Sequence, residues 1–213
     1  MKAKQTSRQG RPRLFDEAEA LEKAMEIFWR HGYDAASISE LTTAMGINPP
    51  SLYAAFGNKE ELFLRVLDHY GTGPCAYSAR AVQEVTAYEV ARQRLYGAVE
   101  AMCDTSRPPG CLAVQATVKC GDPDSVIGQK LAAWLEVGHQ RFVDRFRRAQ
   151  EEGDLAQDVD PVALTRFINA VAHGIAVSAV TGVSRSELEA IADLALQQIP
   201  ERPSKVTSLN GRP

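Results

Sequence analysis

The sequence predicts an all-α protein in which an N-terminal three-helix unit precedes a larger helical bundle. Three observations carry this reading. Apolar residues recur at spacings of three and four along most of the chain, and no strand-like alternation persists anywhere. Side chains that cap helices stand ahead of these runs at Ser37, Asn48 and Asn58, and acids open the first run from Asp16. Breaker clusters such as Gly71-Thr72-Gly73-Pro74 and Arg107-Pro108-Pro109-Gly110 fall between the runs. With 213 residues and 45% hydrophobic content, the chain can bury a substantial core, which excludes disorder for most of its length.

The first helix should span 16–31, with Ala18, Leu21, Met25 and Phe28 on one face. Asp16, Glu17 and Glu19 suit its positive end, and Gly32 stops it. Ser37-Ile38-Ser39-Glu40 has capping-box spacing, so Ser37 should cap a short second helix while Glu40 reaches back. Ile38, Leu41, Ala44 and Met45 form its inner face, and Gly46 supplies a left-handed turn. Asn48 then caps a third helix whose first position is Pro49, where no amide hydrogen is needed. Leu52 and Phe56 point inward one turn apart, and Gly57 ends that helix. Asn58-Lys59-Glu60-Glu61 repeats the capping-box logic for a fourth helix to residue 70, anchored by Leu62, Phe63, Val66 and Leu67. Beyond the break, helices are predicted over 76–86, 88–104, 111–120, 124–152, 161–181 and 185–199. The resulting organisation is a basic arm (1–13), a helix-turn-helix unit (14–70), a second domain (71–199) and a disordered tail (200–213).

Charge and cysteine usage narrow the function. Residues 1–13 carry Lys2, Lys4, Arg8, Arg11 and Arg13 and no acid, whereas the remaining 200 residues sum to −8. A basic arm on an acidic body suits a tail that neutralises phosphates beside a folded reader. Four unevenly spaced cysteines make no disulfide scaffold at this size. The N-terminus has no apolar run behind its basic residues and so does not read as a signal peptide. The longest uncharged stretch, 167–184, contains Asn169, His173, Ser178 and Thr181 and is too polar for a membrane span. These features predict a cytoplasmic, nucleoid-associated protein with no membrane partner. Cys111 and Cys120 are nine apart, which matches no tight metal spacing, and no cofactor motif is present. No nucleophile elbow or paired carboxylates appear, so an enzyme using Cys111 is a remote alternative.

A helix, a glycine turn and a second short helix over 37–56 is helix-turn-helix geometry. In such a unit the second helix meets base edges in the major groove. Ser37, Thr42, Thr43 and Ser51 offer hydroxyls to phosphates, Asn48 can read a base edge, and Tyr53 offers a ring and a hydroxyl. Lys59 adds a phosphate contact at the start of the fourth helix.

The run Ser-Ile-Ser-Glu-Leu-Thr-Thr-Ala-Met-Gly-Ile-Asn-Pro-Pro-Ser-Leu-Tyr-Ala-Ala-Phe-Gly-Asn-Lys-Glu-Glu-Leu-Phe (37–63) resembles the DNA-binding signature of the tetracycline-repressor (TetR/AcrR) family. Ala24, Phe28, His31-Gly32-Tyr33 and the Gly10-Arg11-Pro12-Arg13 arm extend the match, so the resemblance covers about a third of the chain, residues 10–70. It implies an all-helical homodimer that binds a double-stranded operator and is released by a small-molecule effector, as a repressor. By motif position it implies that Ser37, Thr43, Ser51, Tyr53 and Lys59 contact phosphates while Asn48, Pro49 and Pro50 face bases. One departure is Ala54-Ala55, where the family often has an aromatic and a histidine, which shifts readout toward the Tyr53 ring, thymine methyls and DNA shape. Arg11 and Arg13 resemble short arginine arms that enter the minor groove.

In the second domain the candidate effector residues are Cys103, Cys111, Trp134, His139, Phe142 and His173. Pro109-Gly110-Cys111-Leu112 resembles the entry to the sixth helix in a family branch that senses through cysteine, which makes a redox or electrophile sensor using Cys111 the alternative reading. Leu164, Phe167, Ile168, Val171, Ile175 and Val177 cover more than one face of the helix over 161–181, which therefore needs a second surface. Leu164, Phe167, Ile168, Val171, Ile175, Leu188, Ile191 and Leu194 are the predicted four-helix dimer interface.

Overall fold

The computed structural model describes residues 15–199, and among these every regular element is a helix. The order is α1 (Glu17–Ala35), α2 (Ile38–Met45), α3 (Pro49–Phe56), α4 (Lys59–Thr72), α5 (Ala76–Ala81), α6 (Ala87–Met102), α7 (Leu112–Val118), α8 (Val126–Glu151), α9 (Pro161–Val180) and α10 (Arg185–Leu196). The basic arm with Arg11 and Arg13, and the tail from 200, lie outside the described residues.

Most helix starts follow from local chemistry. Asp16 accepts from the amides of Ala18 and Glu19, Thr86 from Glu89, Ser125 from Gly128 and Asp160 from Val162. At Asn58 and Ser184 the capping box is reciprocal, with Glu61 and Glu187 accepting from the cap backbone. At Ser37 only half of the predicted box forms: Ser37 accepts from the Glu40 amide, but the Glu40 carboxylate turns instead to His31, 3.2 Å away. The helix of α1 breaks at Gly32 (φ 79°, ψ 177°), where the sequence places its stop, and 33–35 add a further turn. A side chain at Gly32 would also press on Lys119, 3.1 Å from its Cβ.

Two cores hold the molecule. The first gathers Phe28, Trp29, Leu41, Leu52, Phe56, Phe63 and Leu67 from α1–α4, with Leu112, Ala116, Ile127 and Leu131 from α7 and α8. The second joins α5, α6, α8, α9 and α10 through Leu95, Phe146, Ile168, Ile175 and Leu188. The boundary predicted at 70/71 therefore falls within the last turn of α4 and not at the end of a core. Trp29 Nε1 donates to the Gly110 carbonyl (3.1 Å), Lys119 Nζ to the Arg30 carbonyl (2.8 Å) and the Gly121 amide to Asp34 (3.3 Å), and Lys130 pairs with Glu60.

Several boundaries differ from the sequence reading. The helix predicted over 76–86 stops at Ala81, because the carbonyls of Glu84 and Val85 are taken by the buried Arg145 guanidinium. The elements read as 111–120 and 185–199 are shorter by a turn or less, at 112–118 and 185–196. α9 is long and apolar enough to cross a membrane by length and composition, yet its Leu164, Ile168, Ala172 and Ile175 stripe is buried in the second core.

Candidate nucleic-acid interface

The α2–turn–α3 unit is fixed by what it buries. Leu41, Leu52 and Phe56 are fully enclosed in the first core, so the opposite faces of both helices are left outward. Gly46 (φ 69°, ψ 28°) sets the angle between them; its amide bonds the Thr43 carbonyl and the Ile47 amide bonds that of Thr42. Asn48 caps α3 by accepting from the Ser51 amide at 2.9 Å, which occupies its carbonyl oxygen and leaves its NH2 group as donor. Pro49, Pro50 and Ala54 are exposed, Ser51 is half-buried, and Tyr53 is 51% exposed despite its size. A large aromatic standing out from a short, well-capped helix has no intramolecular work to do, and it is the feature of this face most suited to a partner.

The neighbouring candidates divide. Ser37 Oγ is exposed and accepts from the Glu40 amide at 3.1 Å, so its own hydroxyl hydrogen is free for an acceptor. Thr43 is exposed, its Oγ1 donating to the Ser39 carbonyl at 2.7 Å. Thr42 is a correction: it is 5% exposed, and its Oγ1 donates to the Ile38 and Ser39 carbonyls at 2.8 and 3.1 Å. It lies one residue off the outward stripe, and a hydroxyl enclosed in the core cannot reach a phosphate, whereas the exposed Thr43 hydroxyl can exchange its helix carbonyl for one. Lys59 lies at the start of α4, its Nζ donating to the Asp34 carbonyl (3.3 Å) and standing 4.5 Å from the Tyr33 ring centre. Burial pulls this ammonium below the usual lysine range, and the nearby Asp34 opposes that shift.

The effector candidates do not converge on one place. Phe142 belongs to the second core, 3% exposed, whereas Trp134 flanks the first core and donates to Asp68 at 3.2 Å. His139 and Cys103 are half-buried. Cys111 is buried at the joint between the cores, where the Tyr70 hydroxyl donates to its Sγ at 3.1 Å and the Tyr70 ring meets Trp29 edge-on at 5.1 Å. His173 touches solvent on α9 but is crowded on its other sides; burial, followed by the nearby Arg94 charge, pulls it down to about 4.

The interface reading also needs correction. Leu164, Ile168, Ile175 and Leu188 are at most 8% exposed within their own chain and cannot serve a partner. Phe167, Ile191 and Leu194 remain outward, as does Val177, and Val180, which the sequence reading did not name, joins them. A 20-residue helix flanked on one side only presents one stripe to its own core, and the period of 3.6 turns every third or fourth residue away. The sequence reading also missed Arg94 and Tyr77, buried polar groups of the second core, since no local pattern marks a helical arginine as interior.

Comparison with known proteins agrees with this geometry. Residues 20–66 match the family model described as bacterial regulatory proteins, tetR family, and residues 89–194 match the tetracyclin repressor-like C-terminal domain. The HTH-type transcriptional repressor ComR of Escherichia coli (strain K12) is 34% identical over 195 residues, covering 90% of this chain and 92% of that protein. The HTH-type transcriptional repressor BdcR of the same organism is 52% identical over 67 residues, 32% of this chain and 34% of its own. Among solved structures, a cysteine mutant of the TetR family transcriptional regulator CifR, complexed with 26-bp double-strand operator DNA, is 39% identical with a TM-score of 0.81, covering 89% of this chain and 100% of that one. With both halves matched and a relative spanning nearly its whole length, this chain belongs to the tetR family of bacterial transcriptional regulators.

Proposed function

We propose that the protein is a homodimeric cytoplasmic repressor that reads a palindromic operator with α3 and leaves it when a small-molecule effector enters the C-terminal bundle. The observation that carries this reading is the outward, half-exposed Tyr53 on a helix whose opposite side is locked into the core by Leu52 and Phe56. Asn48, Pro49 and Pro50 would face bases; Ser37, Thr43, Ser51, Tyr53 and Lys59 would hold phosphates, and Arg11 and Arg13 would enter the minor groove. Dimerisation through Phe167, Val171, Ile191 and Leu194, with Val177 and Val180, would set two copies of α3 about 34–36 Å apart on successive major grooves. The operator complex of the similar CifR supports the DNA partner. An effector acts by binding the two dimer states with different affinity, which bounds how far operator affinity can fall.

Selection of bound fragments from a random DNA pool at near-physiological salt tests the reading. A palindrome should be enriched ~10³-fold or more over random sequence. Tyr53→Ala should weaken operator binding about tenfold, within the ~1–3 kcal/mol of a groove contact, with dimer mass and helicity unchanged. Wild-type affinity in that variant would remove α3 from the groove.

A second reading, in which the effector acts on the Cys111 thiol, draws on its place against Tyr70 and Trp29 at the joint between the cores. Cys111→Ser should then abolish release by a thiol-reactive probe such as N-ethylmaleimide; full release of the variant would exclude it.

A further inference from the structure

The C-terminal bundle buries a cation that its own side chains do not neutralise. Arg94 of α6 is 7% exposed. Its Nε donates to Asn169 Oδ1 and its Nη1 to the Tyr77 hydroxyl, both at 3.3 Å, with the guanidinium 5.5 Å from the Tyr77 ring centre. Both partners are uncharged, and no carboxylate pairs with Arg94 among the described residues. Arg145, also buried, is handled differently: it is held by the carbonyls of Glu84 and Val85 and lies 3.9 Å from the Glu152 carboxylate. A guanidinium cannot shed its proton to escape burial, and it carries five N–H donors, of which Arg94 uses two. Buried charges are otherwise paired, because desolvation without a counter-charge is costly.

The surroundings are built around this group. Gly97, one turn further along α6, lets Tyr77 lie flat against the helix; a Cβ there would stand 2.6 Å from the ring. Asn169 and His173 lie one turn apart on α9. His173 is neutral at pH 7, held down by burial and by Arg94, and burial pushes the Cys75 thiol and Tyr77 phenol up, so both stay protonated. The cluster therefore carries a single positive charge.

We propose that Arg94, with Tyr77 and Asn169, anchors the carboxylate of a small monocarboxylate effector, an inference that rests on the effector-release reading above for its regulatory consequence. Parallel N–H groups of a guanidinium match two oxygens of a carboxylate. A dianion such as phosphate would bring a second charge with no cation to meet it.

The test titrates the full-length protein with acetate, butyrate and benzoate against acetamide, butyramide and benzamide at constant ionic strength, reading thermal unfolding and calorimetric binding. At least one carboxylate should raise Tm by roughly 5–10 °C at a hundred times its Kd, while its amide does nothing. Arg94→Met should bind that carboxylate at least tenfold more weakly. Asn169→Asp keeps the proposal testable if Arg94→Met does not fold: it places a carboxylate beside Nε, and should raise the Tm of the free protein and cancel the response to added carboxylate. Equal response to acid and amide, equal response to phosphate, or wild-type response in Asn169→Asp would overturn the site. Carboxylate binding that left operator affinity unchanged would support the anion site and sink effector release instead.

Discussion

Thr42 and Thr43 are adjacent and chemically identical, and a 100° turn of α2 gives them opposite surroundings. Both hydroxyls bond carbonyls of their own helix, but Thr42 is enclosed while Thr43 looks outward beside the turn at Gly46, where it can turn to a phosphate. Thr42→Val should therefore leave operator affinity within about twofold, and Thr43→Val should reduce it about fivefold, the loss of roughly 1 kcal/mol expected for one phosphate hydrogen bond, as read in a fluorescence titration of labelled operator. His173 sets a second expectation. Its folded value, about 4, lies below the 6.5 of the free side chain, so the unfolded chain takes up a proton first as pH falls. This residue is neutral toward stability above pH 6.5, and its destabilising effect grows from there down to about pH 4. Urea midpoints of wild type and His173→Gln should diverge across that window, with wild type losing more. Neither threonine's burial nor the histidine's neighbours could be read from sequence, because each depends on which side of a helix meets a distant segment.

At the scale of elements, helix starts were legible because their chemistry is local. Ser37, Asn48 and Asn58 each bond the amide three residues on, as their spacing predicts. The Glu40 half of the first capping box failed for a long-range reason, since His31 of α1 offers its carboxylate another partner. Asn58→Ala removes the complete box at α4 and should cost about 1 kcal/mol, a Tm drop of roughly 2–4 °C by calorimetry. Faces were less legible than starts. α9 is apolar enough on several sides that composition alone could not say which stripe turns inward, and half of the interface assigned from sequence went to the core.

For the whole molecule, the exposed apolar residues of α9 and α10 are the surface that a second copy would cover. Leu194 is 63% exposed and Phe167 39%, so charges there do not disturb the monomer's core. Leu194→Glu combined with Phe167→Glu should give a folded monomer by sedimentation, with operator affinity lowered on the order of a hundredfold or more through loss of the second half-site. A dimer surviving both substitutions would place the interface elsewhere.

The core shared by α1–α4 with α7 and α8 has a practical reading for anyone recombining these proteins. A reading head cut at the glycines after α4 and grafted onto a foreign body would carry off Trp29 and Tyr70 with one wall missing, and leave the Arg30 carbonyl without the Lys119 ammonium that holds it. Heads and bodies should exchange well only when the new body keeps Leu112, Ala116, Ile127 and Leu131 facing the head, because α8 runs unbroken from the first core into the second and the joined chain must leave the shared core filled. The fit at that core thus decides whether a hybrid switch inherits its neighbour's grip or merely its sequence.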